Sequence, residues 1–199
     1  MLLTVCPKLQ NGNVLNAPVQ VYLPYGYRNT EKYNVLFLVP GSDGHITDWM
    51  ELSLKMSVPL GKEYGTINGK RLFDWLIYTG QAAPFIAVSI EMQPYNGSYS
   101  SAYGRYADLI VYDWLPMIVD GRGVCWKSDG NEVEIPFGGT YAESSAESDP
   151  EAAKAHFAIA GASQGAIFVS LYAADSKNDL GKRFGGIAAV LQDAMKDGN

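Results

Sequence analysis

Phe157, Ala158, Ile159, Ala160, Gly161, Ala162, Ser163, Gln164, Gly165, Ala166, Ile167 and Phe168 form a short apolar run that breaks at a G-x-S-x-G turn and then resumes. The apolar residues beyond the turn, Val169, Leu171, Tyr172 and Ala173, continue in a helical pattern. This is the outline of a nucleophile elbow, in which a serine is raised on a sharp strand-to-helix turn. Such a turn strains the backbone at the serine, and side chains at the flanking positions would strike the neighbouring strand and helix. Residues 161, 162, 165 and 166 are all small, as that geometry requires. The turn also directs the first free N–H groups of the helix at the serine, which places the Gln164 amide to stabilise an oxyanion on an acyl substrate. A G-x-S-x-G pentapeptide arises by chance in a chain with 21 glycines, but the strand pattern before it and the helix pattern after it separate this one from a glycine-rich loop. Ser163 is the candidate nucleophile.

Working outward, 199 residues with 47% hydrophobic and 18% charged composition suffice for one sizeable core, and no low-complexity linker divides the chain. A single domain over 1–199 is expected. The net charge of −6, without a Lys/Arg cluster able to track a phosphate backbone, argues against a nucleic-acid partner. No apolar run approaches a membrane span, so no membrane partner is expected, and Met1 to Gln10 is too short and too polar to be a signal peptide. Cys6 and Cys125 are too few for a disulfide framework or a zinc site, and two buried thiols or one bridge remain the alternatives. No cofactor or metal is expected. Asn96, Gly97 and Ser98 match a glycosylation acceptor pattern, meaningful only in a secreted eukaryotic protein.

The remaining segments alternate between strand and helix. Val19 to Leu23 reads as an outer strand and Val35 to Val39 as a buried central one. Asn68 is placed to cap a helix whose Leu72, Trp75, Leu76 and Thr79 share a face, and Phe85 to Ile90 reads as another buried strand. A further helical pattern runs from Leu109 to Val119, and a last strand from Gly186 to Leu191 is expected beside the 157–162 strand. This alternation predicts a mostly parallel sheet with helices on both faces, a three-layer α/β fold. Residues 93 to 106 read as a loop whose Tyr95, Tyr99, Tyr103 and Tyr106 offer an aromatic wall for a planar or sugar substrate, or else an ordinary packed surface loop. Residues 121 to 147 read as an inserted hairpin turning at Asp129 and Gly130, followed by a Gly/Thr/Ser-rich lobe, with Pro150 opening a short helix.

The succession Val21, Tyr22, Leu23, Pro24, then Tyr33, Val35, Leu36, Leu38, Pro40, Gly41, Asp48 and Trp49, then Pro84 to Val88 and Ala158 to Gly165, resembles the esterase family of α/β hydrolases that includes feruloyl esterases, acetylxylan esterases and esterase-D type thioesterases. The resemblance covers nearly the whole chain outside the 121–147 insertion. It implies an α/β-hydrolase fold and a serine carbohydrate-esterase activity, with Ser163 as nucleophile and the amides of Gln164 and Ser42 as the two oxyanion donors. The family's His-Gly pair before the second donor reads Pro40, Gly41 here, which alters the loop but not the amide.

Such hydrolases carry Asp or Glu and then His after the serine in chain order. No histidine follows Ser163, and the chain has only His45 and His156. His156 begins the 157–162 strand and is expected at the far end of the sheet, as a structural residue. His45 lies in the Gly41, Ser42, Asp43, Gly44 loop and is usually read as solvated rather than as a base. The resemblance therefore implies a C-terminally truncated member. Three functional readings stay open: a serine carboxylic-ester hydrolase acting through an acyl-enzyme on acetyl or feruloyl esters of plant cell-wall polysaccharide, a catalytically impaired binding protein of the same fold, or a fragment. A strand at 186–191 left as a sheet edge also predicts self-association, or a tail that covers it.

Overall fold

The computed structural model describes residues 1–51, 54–57, 63–121, 123–126, 132–135 and 154–190. The apolar run around Val35 forms β3 (Asn34–Val39), with Val35, Phe37 and Val39 on one face and Leu36 and Leu38 on the other. Both faces are covered, which is why the segment is apolar throughout instead of alternating. On one side Val35, Phe37 and Val39 share a core with Ile110, Trp114 and Phe168 from the helical segments Tyr99–Asp120 and Gln164–Tyr172. On the other, Leu36 and Leu38 join Tyr22, Met50, Phe73 and Ala87 beneath α1 (Asp48–Glu51) and α2 (Gly69–Tyr78).

The strands β1 (Leu2–Pro7), β2 (Val19–Tyr22), β3, β6 (Phe85–Ser89), β7 (Gly123–Trp126), β8 (Glu132–Ile135), β9 (Phe157–Ala162) and β10 (Gly186–Val190) form one eight-stranded sheet. A separate hairpin pairs β4 (Leu54–Ser57) with β5 (Glu63–Ile67). In the order β10-β9-β3-β6-β2-β1-β7-β8, the first four strands run parallel and every later pairing is antiparallel. The sheet is thus mixed and not mostly parallel, because β2, β1 and the β7–β8 hairpin extend it by antiparallel pairing. β2 is also no outer strand. It lies between β1 and β6 with all four residues buried.

α2 begins where Asn68 Oδ1 accepts the Arg71 amide at 3.0 Å, as its capping residue type predicts. Its buried contact is Phe73, whereas Leu72 and Trp75 of the expected inner face are 36% and 50% exposed. Residues 93 to 106 are not one loop, since Tyr99–Asp108 forms helix α3. The helix continues through a widened π-type turn, Leu109–Trp114, into α4 (Leu115–Asp120). Pro116 has no amide to offer the Tyr112 carbonyl, and the Leu115 amide bonds instead to Ile110, five residues back.

The register of β1 on β7 sets Cys125 opposite Val5 and Cys6 opposite Val124. Side chains alternate between faces along a strand, so the two thiols lie on opposite faces of the sheet, and the two cysteines form no disulfide with each other. Cys125 is only partly buried. The Asp129–Gly130 turn, the Gly/Thr/Ser-rich lobe, the helix opening at Pro150 and the segment after Val190 lie outside the described residues. Among the described residues no helix is long and apolar enough to cross a membrane.

Candidate functional site

β9 ends at Ala162 and α5 (Gln164–Tyr172) begins at Gln164, so Ser163 alone makes the turn between them. Its backbone sits at φ +53° and ψ −117°, a region that non-glycine residues rarely occupy and that costs on the order of 1–3 kcal/mol. The conformation is held from both sides. Ser163 N–H donates to Val190 O of β10 at 2.9 Å, and Ser163 O accepts the amides of Ala166 and Ile167 in the first turn of α5. The side chain is exposed at the carboxyl end of the parallel half of the sheet, where ligand crevices of open α/β sheets form.

The glycines of the motif are there because the backbone passes too close for a Cβ. A Cβ on Gly161 would lie 2.3 Å from Gly165 O, and one on Gly165 would lie 2.4 Å from Pro40 O. The same packing brings the loop after β3 against the serine, because a Cβ on Gly41 would stand 3.3 Å from Ser163 Cβ and 3.8 Å from its Oγ. Ser42, next in that loop, is exposed. Among the described residues neither the Ser42 amide nor the Gln164 amide donates a hydrogen bond. Both lie on segments flanking Ser163.

The loop after β3 is shaped by Asp43 at φ +53° and by the Gly44 amide bonded to Gly41 O. Gly44 O in turn accepts the Met92 amide at 3.0 Å, which joins this loop to the segment after β6. Helix α3 then ties three loops together with one row of tyrosines. Tyr99 Oη accepts the Asp43 amide at 2.8 Å, Tyr103 Oη accepts a hydrogen bond from Gln164 Nε2, and Tyr106 Oη accepts the Gln93 amide at 3.0 Å. Burial pushes the hydroxyls of Tyr103 and Tyr106 above the usual phenol range despite the amides that donate to them, which keeps both neutral at ordinary pH.

This arrangement changes the reading of the aromatic wall. Tyr103 is 4% exposed and packs its ring against Phe168 and Tyr172 of α5, so it braces the turn at Ser163. Tyr99 is partly buried and holds the Asp43 loop, while Tyr95 stands outside the helix, 45% exposed, with the Arg105 guanidinium 5.6 Å from its ring centre. The part played by Gln93 was not singled out by sequence reasoning, and Tyr106, read there as one of four tyrosines of a loop wall, instead accepts the Gln93 amide from a helix. The signal was present in the i, i+4, i+7 spacing of Tyr99, Tyr103 and Tyr106, a helical row lying among Gly and Ser residues that read as a loop.

The two histidines are not assembled with the serine. His156 precedes β9, at the amino end of the strand whose carboxyl end carries Ser163, about 20 Å away along the strand, with Nδ1 2.9 Å from Asn34 Oδ1. His45 is exposed, and its amide donates to Asp48 Oδ2 at 2.9 Å. Among the described residues neither its imidazole nor Ser163 Oγ makes a hydrogen bond, and no cluster of His, Cys, Asp and Glu is arranged to hold a metal ion.

No protein-family model matches the chain. It is similar in structure to a ferulic acid esterase at 17% identity and a TM-score of 0.56, covering 95% of this chain and 59% of that one. It is similar to a ferulic acid esterase from Anaeromyces mucronatus in complex with ferulic acid at 16% identity and a TM-score of 0.53, covering 90% and 54%. A mutant of the feruloyl esterase module from Clostridium thermocellum complexed with sinapinate matches at 19% identity and a TM-score of 0.52, covering 85% and 47%. The chain spans about half the length of these solved structures. At these identities the likeness establishes the fold, an α/β architecture of the kind those esterases share.

Proposed function

We propose that the chain carries the nucleophile side of a serine carboxylic-ester hydrolase, with Ser163 as nucleophile and the amides of Ser42 and Gln164 as oxyanion donors. The observation that carries this reading is the backbone of Ser163 at φ +53° and ψ −117°, exposed at the carboxyl end of β9 and backed by glycines whose Cβ atoms would clash. Strain of that kind persists only where the surrounding structure enforces it. In the reaction Oγ adds to the ester carbonyl carbon while its proton passes to solvent water, no base among the described residues meeting it, and the carbonyl oxygen takes the negative charge opposite the two amides. Collapse of that adduct breaks the carbon–oxygen bond to the alcohol, which leaves with a proton. Water then releases the acid from Ser163 by the same steps. The solved neighbours holding ferulic acid and sinapinate support a hydroxycinnamate ester as substrate, and feruloyl or acetyl esters of plant cell-wall polysaccharide are the proposed class.

The second reading, a catalytically impaired binder of the same esters, is favoured by Ser163 Oγ, which meets no base among the described residues. Hydrolysis of methyl ferulate by the chain separates the two. Turnover several powers of ten below ordinary enzyme rates but abolished in Ser163→Ala fits an elbow working without its base. Turnover unchanged in Ser163→Ala contradicts the assignment of Ser163. Ordinary rates lost in His45→Ala make His45 the base.

A further inference from the structure

The outward face of α2 and the segment after β2 together expose aromatic rings that the fold does not use. Tyr25 and Tyr78 are 93% and 91% exposed and Trp75 is 50% exposed. Scattered surface aromatics are ordinary, but these three converge on one cavity of about 640 Å³. Met1, Tyr22, Lys70, Asp74 and Ile77 complete its lining. The Tyr22 hydroxyl donates to Asp74 Oδ1 at 2.8 Å, and Lys70 Nζ lies 2.6 Å from Asp74 Oδ2.

We propose that this cavity is a second binding site, for a neutral oligosaccharide chain. The rings of Tyr25, Trp75 and Tyr78 match the C–H faces of a pyranose, and the Lys70–Asp74 pair beside them offers donors and acceptors to ring hydroxyls. Lys70 and Asp74 neutralise each other, and the Met1 ammonium, also in the lining, is turned to Leu23 O at 2.6 Å. Tyr22 is level with Ala87 of β6, and so with Leu36 of β3 and Ala158 of β9. Ser163 lies further along β9 and three strands across, which separates the two sites by about 20 Å. The saccharide assignment rests on the polysaccharide-ester reading above, under which a second hold on the same chain raises the local substrate concentration at Ser163.

Affinity electrophoresis of the full chain through gels containing arabinoxylan, with xylohexaose as competitor, reads this binding without turnover. The proposal predicts retardation of the wild type and of Ser163→Ala to the same extent, relieved by xylohexaose and not by methyl ferulate. Trp75→Ala and Tyr78→Ala should each bind roughly tenfold more weakly, with Trp75→Phe keeping most of the affinity as a control for folding. Absence of retardation, equal retardation of Trp75→Ala and wild type, or competition by methyl ferulate would overturn it. An inactive Ser163 with retained saccharide binding would sink the ester reading and leave this cavity standing.

Discussion

Tyr99 Oη accepts the Asp43 amide at 2.8 Å, fastening the helix after β6 to the loop after β3 that borders Ser163. The bond fixes a residue in the left-handed region within the loop that carries the Ser42 amide. Tyr99→Phe keeps the ring and removes the acceptor. It should cost about 1 kcal/mol in urea unfolding at neutral pH and slow ester cleavage by a larger factor than it destabilises the fold. Equal activity in the variant would show that the loop holds its shape without the tyrosine.

Gly165 and Gly161 are predicted to tolerate no side chain. A Cβ at either position meets backbone oxygen at 2.4 or 2.3 Å, which only a backbone shift can relieve. Gly165→Ala should destabilise by roughly 2–3 kcal/mol, beyond the usual loss for a surface change. Gly12→Ala, at φ +84° with nothing within 4 Å, is the comparison and should cost only about 1 kcal/mol. Similar unfolding midpoints for the two variants would contradict the packing described at the turn.

Asp74 provides a pH dependence of known sign. Burial works to raise its pKa, but the hydrogen bonds from Lys70 and Tyr22 outweigh it and hold the carboxyl below its ordinary value. A depressed folded pKa contributes stability that is present above the unfolded value of about 3.9 and is lost as pH falls below it. Wild type should therefore exceed Asp74→Asn in stability at pH 7, by no more than about 1 kcal/mol for so exposed a pair, and the gap should narrow as pH falls below the unfolded value of about 3.9. Urea titrations at neutral pH and in acid test this, and a gap that widens in acid would reverse the sign.

Ile187 and Val190 are 42% and 59% exposed on β10, which among the described strands pairs only with β9. An apolar edge of this kind invites pairing with a second chain. Light scattering should detect association of the wild type at high concentration and less of it in Ile187→Lys. A wild-type monomer throughout would show the edge to be covered.

The turn at Ser163 was legible in the sequence because its requirements are local: small residues at fixed offsets, a strand before them and a helix after. Val35 to Val39 was legible because burial on both faces leaves an unbroken apolar run. The row from Tyr99 to Tyr106 was not, since Gly104 and three serines between 98 and 101 lowered helical propensity, and tertiary bonds to Asp43, Gln164 and Gln93 outweigh it. The face of α2 was misread for a different reason. Periodicity marks an apolar stripe but does not say whether the sheet or solvent receives it, and here Phe73 turns inward while Trp75 turns out. The antiparallel hairpin of β7 and β8 was read from the sequence, but its joining to the sheet was missed with β1, whose pairing with β7 spans most of the chain.

The central claim, that Ser163 is the nucleophile, is tested most directly by treating the chain with an alkyl fluorophosphonate and mapping the adduct by mass spectrometry. A strained, exposed serine backed by two free amides should be phosphonylated slowly without a base, at Ser163 alone, and the adduct should vanish in Ser163→Ala while Ser42→Ala, which keeps its amide, still reacts. Labelling spread over other serines, or no labelling of Ser163 under conditions that modify them, would contradict the account.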